Sequence, residues 1–178
     1  MRLDQLNALD EPAAARVFLR GCGSSRWAQR MATSRPFANV DAMSAHADAI
    51  WALLDRQDWL EAFAAHPKIG ETRSGGSGGS SGSGASGGWA QQEQASVAGA
   101  AGRTRQRLAE ANRAYEVRFG YMFIVCATGK TADEMLALLE RRLRHDAHEE
   151  LPIAVEEQRQ ITQLRLKKLL EQELDTTL

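Results

Sequence analysis

Four histidines are the first candidates for chemistry, and their surroundings set them apart. His66 follows the apolar Phe63-Ala64-Ala65 and precedes Pro67, which fixes the backbone there. An imidazole at the rigid end of a helix, facing a loop, is held where a ligand can reach it and titrates near neutrality. A satisfied structural histidine fits the same position. His46 lies mid-helix between Ala45 and Ala47, where a surface or packing role is expected. His145 and His148 stand at i,i+3 among Asp146, Glu149 and Glu150, a spacing that puts two ligands on one side of a helix. A solvated, charged helix end explains them equally well. The chain lacks the repeated Glu-x-x-His motifs of a di-iron bundle, so no metal is expected.

Two further side chains stand out. Glu93 lies in Gln91-Gln92-Glu93-Gln94 at a helix start, where the dipole and free N–H groups favour a carboxylate; simple capping would suffice. Arg165 is four residues past Ile161 and four before Leu169, so its stem leans toward a buried stripe. Such an arginine either snorkels or turns inward to bind a carboxylate or carbonyl. The two cysteines, Cys22 and Cys126, are too few for a disulfide framework, and Cys126 ends an apolar run as a small buried hydrophobe. Walker loops, dinucleotide fingerprints and serine elbows do not occur.

The elements that must position these residues read as helices. Asp10 can cap one with Pro12 in its first turn, ending at Gly21. Ser24 or Ser25 starts a second, stopped before Arg35-Pro36. Asn39 or Asp41 opens a third with Ile50, Leu53 and Leu54 on its apolar side, and Trp59, Leu60 and Phe63 mark a fourth that stops at His66-Pro67. Helix resumes near Gln91, and Leu108, Ala111, Tyr115 and Phe119 keep one buried face. Gly120 to Cys126 is apolar and short, and is expected to be a buried extended piece. Thr131 and Glu134 form a capping box ahead of Leu136, Leu139 and Leu143. Pro152 is expected to start the last helix, which carries Val155, Ile161, Leu164 and Leu169. The fold class is all-α, with at most one extended piece.

Composition bounds the rest. A chain of 178 residues with 43% hydrophobic and 25% charged residues can bury a core and fits one domain, 1–178. The net charge of -1 excludes a strongly basic nucleic-acid binder. No apolar run approaches the roughly 20 residues needed to span a bilayer, and Met1-Arg2-Leu3-Asp4-Gln5 lacks a secretory h-region, so a cytoplasmic location is expected. Residues 74–88 read SGGSGGSSGSGASGG, with 8 of the chain's 15 glycines. That run is expected to behave as a flexible coil, whether a natural low-complexity loop or a replacement linker.

Taken together, five ordered motifs resemble the OHCU decarboxylase family, which acts late in urate degradation on 2-oxo-4-hydroxy-4-carboxy-5-ureidoimidazoline. They are Cys22-Gly23-Ser24-Ser25-Arg26-Trp27 with Arg35-Pro36-Phe37; His66-Pro67-Lys68-Ile69-Gly70; Glu93-Gln94-Ala95; Phe119-Gly120-Tyr121-Met122-Phe123-Ile124-Val125; and Glu157 through Ile161 to Leu164-Arg165. The resemblance implies an all-helical, cofactor-free and metal-free decarboxylase that releases (S)-allantoin, usually as a homodimer. It implies His66 as the catalytic residue, Glu93 as its partner, and Arg165 as a substrate contact. Pro67, Gln94 and the backbone of Phe123, Ile124 and Val125 line the site by the same likeness. Ala90 stands where many members carry a serine, which implies one polar contact fewer. A helical binding or adaptor module without catalysis is the alternative.

Overall fold

The computed structural model describes residues 1–67 and 102–171. The Gly/Ser run, Ala90, Glu93, Gln94 and the helix expected near Gln91 lie outside the described residues. Within them stand eight α-helices and no strand, so the fold is all-α as expected. They are α1 (Leu3–Ala8), α2 (Glu11–Cys22), α3 (Ser25–Thr33), α4 (Val40–Ala52), α5 (Arg56–Ala64), α6 (Gly102–Phe119), α7 (Ala132–Arg142) and α8 (Ala147–Glu171).

The helix starts follow from short-range chemistry. Asp10, Ser24, Asn39 and Thr131 each accept a backbone N–H three residues on, satisfying a donor that the first turn leaves free. Three expectations need correction. α2 continues through Gly21 and stops at Gly23, whose φ of 88° is the left-handed conformation that a helix end favours and glycine adopts cheaply. Leu53 is 71% exposed, because α4 ends at Ala52 and the helical period no longer carries it inward. α8 starts at Ala147 and not at Pro152, because Asp146 Oδ1 accepts from the His148 and Glu149 N–H groups and caps it earlier. Pro152 then forgoes only one interior hydrogen bond.

The chain forms two compact units, one of Met1–Ala65 with Glu156 onward, the other His66–Val155. In the first, α2 packs on α3, and Phe18 meets Trp27 and Phe37 edge-on with ring centroids 6.0 and 6.2 Å apart. Trp27 is fully buried and its Nε1 donates to the Ala47 carbonyl at 3.1 Å, tying α3 to α4. The C-terminal part of α8 docks on α4 through Gln163 and Arg159, which donate to Asp48 at 2.8 and 2.9 Å. Arg35 reaches back to the end of α1, donating to the Leu6 and Leu9 carbonyls at 2.8 and 2.7 Å. In the second unit, α6 packs on α7, and Tyr115, Phe119, Tyr121 and Phe123 form one aromatic cluster.

Candidate active site

His66 follows α5 directly, half-buried and locked by Pro67, as the sequence pattern requires. What fixes the end of α5 is a turn in the first unit. A Cβ placed on Gly23 would stand 2.5 Å from Ala65 Cβ and 3.2 Å from the Ala62 carbonyl oxygen. The Cys22-Gly23 turn therefore touches the last turn of α5, the stretch that leads into His66, at a distance only glycine permits.

The other side of that turn faces α8. Gln158 is wholly buried, and its Nε2 donates to the Cys22 carbonyl at 3.1 Å and to Thr162 Oγ1 at 3.3 Å. Arg165 is 6% exposed, and its Nη1 donates to the Gly21 carbonyl at 3.4 Å. The inward-turned alternative for this arginine is therefore the one that the fold adopts. Burial pushes the Cys22 thiol up to about 12, so it stays protonated and serves as packing.

In the second unit, Phe123, Ile124 and Val125 are 2–5% exposed within the non-helical segment after Gly120. Among the described residues no acceptor takes a hydrogen bond from their N–H groups, which is unusual for buried backbone. The segment's carbonyls are held from one end by Lys130, whose Nζ donates to the Cys126 oxygen at 2.6 Å. At the other, Arg142 Nη1 donates to the Ile124 oxygen at 2.7 Å. Arg142 is itself buried against Phe123, its guanidinium carbon 4.7 Å from the ring centroid. Its Nε and Nη2 both lie 2.6 Å from Glu150 Oε1, which also accepts from the Tyr115 hydroxyl. Burial holds the Tyr115 phenol far above its ordinary pKa, so it remains a donor.

His145 Nδ1 stands 2.8 Å from Glu150 Oε2, within hydrogen-bond distance. His145, half-buried, thus joins the Glu150 cluster, whereas His148 is exposed, as a solvated helix end requires. No group of metal-ligating side chains occurs among the described residues. His46 Nδ1 lies 2.9 Å from the carbonyl of Ala42 on its own helix, in keeping with a surface role.

A family model described as OHCU decarboxylase matches residues 7–167, a span that takes in every candidate residue from His66 to Arg165. The chain belongs to the OHCU decarboxylase family. Over 167 residues it is 30% identical to the 2-oxo-4-hydroxy-4-carboxy-5-ureidoimidazoline decarboxylase of Haloferax volcanii, covering 93% of this chain and 94% of that one. Over 148 residues it is 38% identical to the uric acid degradation bifunctional protein TTL of Arabidopsis thaliana, covering 83% of this chain but only 44% of that longer protein. A crystal structure of OHCU decarboxylase in the presence of (S)-allantoin superposes with a TM-score of 0.72 at 38% identity, covering 86% of this chain and 96% of that one.

Sequence reasoning about this OHCU decarboxylase family member placed Tyr115 on a buried face but missed the network of Arg142 with Glu150 and the role of Gln158. A signal was present. Arg142 sits three residues past Leu139, and Glu150 four before Ala154 and eight before Gln158, so each lies on an apolar stripe. A charge on such a stripe marks a buried network.

Proposed function

We propose that this chain decarboxylates 2-oxo-4-hydroxy-4-carboxy-5-ureidoimidazoline to (S)-allantoin in urate degradation, with His66 moving the proton and Glu93 tuning it. The observation that carries the reading is the family match across residues 7–167, with the His-Pro motif intact at His66-Pro67. The substrate carries an imine beside the carbon that loses CO2. When that carbon–carbon bond breaks, its electron pair moves toward the imine nitrogen, and a proton delivered later to one face of the planar product sets the (S) configuration. The protein's task is to turn the carboxylate out of the imine plane and to hold the developing charge. Arg165 binds an anionic or carbonyl group of the substrate, and the N–H groups of Phe123, Ile124 and Val125 bind its ring or ureido oxygens. Pro67 fixes the backbone of His66, and Gln94 orients the ureido group. A carboxylate at Glu93 favours the protonated imidazole and fixes its tautomer.

The chain works as a cytoplasmic homodimer on this small molecule. Among the described residues no helix is long and apolar enough to cross a membrane. Light scattering should give twice the 19.5 kDa chain mass.

The test is optical activity after addition of freshly generated substrate. Excess (S)-allantoin above the spontaneous rate is expected, and none from folded protein would sink the reading. His66→Gln should keep the fold and lower the rate roughly 10²–10⁴-fold. Glu93→Gln should cost less, and the double variant should be little worse than His66→Gln.

A further inference from the structure

The Ile124–Val125 peptide is trans and planar, so its N–H points opposite to its carbonyl. Whatever fixes the Ile124 oxygen therefore aims the Val125 N–H. Arg142 fixes it, from a buried position, at a charge-assisted 2.7 Å. A cation on the carbonyl oxygen also draws electron density along the amide and makes the N–H on its far side a stronger donor.

The bracing is built for direction. Arg142 uses Nη1 for the peptide and Nε with Nη2 for Glu150, so the planar fork cannot swing without breaking both contacts. Glu150 is in turn held by Tyr115 and His145. A cation needed only for charge balance would not require this two-sided grip. A core needing only volume would hold an apolar side chain more cheaply.

We propose that Arg142 is a positioning residue for the reaction: braced by Glu150, it orients and polarises the Val125 N–H as a substrate-binding donor. The inference rests on the reading that the 123–125 backbone lines the site, and it adds a residue outside all five motifs.

The test uses the full chain, Arg142→Lys, and amide proton–nitrogen spectra titrated with (S)-allantoin. Lysine keeps the charge but cannot grip Glu150 and the Ile124 oxygen together. The unsubstituted protein should show a Val125 amide shift on titration. Arg142→Lys should lose most of that shift and raise KM about 10-fold while changing kcat much less, in the range of one charge-assisted hydrogen bond. A shift and KM equal to those of the unsubstituted protein would overturn the proposal and leave the reading of the segment standing. A silent Val125 amide in the unsubstituted protein would remove that reading and the proposal with it. Should Arg142→Lys not fold, Glu150→Gln keeps the shape and loosens the brace, and a KM rise of about 3-fold with a weakened Val125 shift is expected. A lower melting temperature with KM and the Val125 shift unchanged would assign the cluster to stability alone.

Discussion

In the first unit, the buried Gln158 amide donates to a backbone carbonyl and a hydroxyl. In the second, the equally buried Glu150 carboxylate gathers a guanidinium, a phenol and an imidazole. Both side chains are wholly buried, and both steady a short stretch next to a candidate site residue. The difference is charge. Gln158 can be removed with neutral groups left behind, whereas removing Glu150 strands a cation in the interior. Neutral pairing thus serves where a turn has only to be held in place. Ionic pairing appears where a peptide group has to be aimed.

The largest effect that tests this contrast is on stability. Glu150→Ala should destabilise the chain by about 3–5 kcal/mol, since Arg142 would be buried without its counter-charge. Gln158→Met should cost only about 1 kcal/mol, because its Oε1 has no hydrogen-bond partner among the described residues and little is lost there. Equal losses in denaturant unfolding would erase the distinction.

Gly23→Ala comes next, at about 2–4 kcal/mol, from the left-handed backbone together with the collision at Ala65. Adding Ala65→Gly should recover the collision part and leave the backbone part. Full recovery would mean that the φ of Gly23 imposes no strain. The smallest effect belongs to α7. Thr131→Ala should cost about 1 kcal/mol in melting experiments. Its partner Glu134 has a carboxyl held below the ordinary glutamate range by the Thr131 N–H and hydroxyl. That contribution is complete above the ordinary glutamate value and is lost as pH falls through the lowered one, so Glu134→Gln should approach the unsubstituted protein in acid.

Helix starts and the buried non-helical segment were readable because their causes lie within a few residues: a cap and its N–H, a glycine and the apolar run it bounds. The place of His66-Pro67 at the end of α5 and the inward turn of Arg165 were readable as residue types in pattern. Arg142 and Glu150 were not, because their meaning comes from each other, eight residues apart on different helices. In a run such as Arg141-Arg142-Leu143-Arg144-His145-Asp146, the stripe position of Arg142 marks it as the inward charge but does not say what it meets. Leu53 and Pro152 misled for the opposite reason. Leu53 was read on a helical period that stops one residue before it, and Pro152 by its own preference while Asp146 set the helix boundary.

The contact from Arg35 to the end of α1 bears on the order in which the chain assembles. A six-residue helix cannot persist alone, since its first turn costs more than one hydrogen bond returns. α1 must therefore wait for a guanidinium that arrives 29 residues later along the chain. Amide exchange in α1 should then keep time with the segment after α3, so that the N-terminal helix opens whenever that distant arginine lets go.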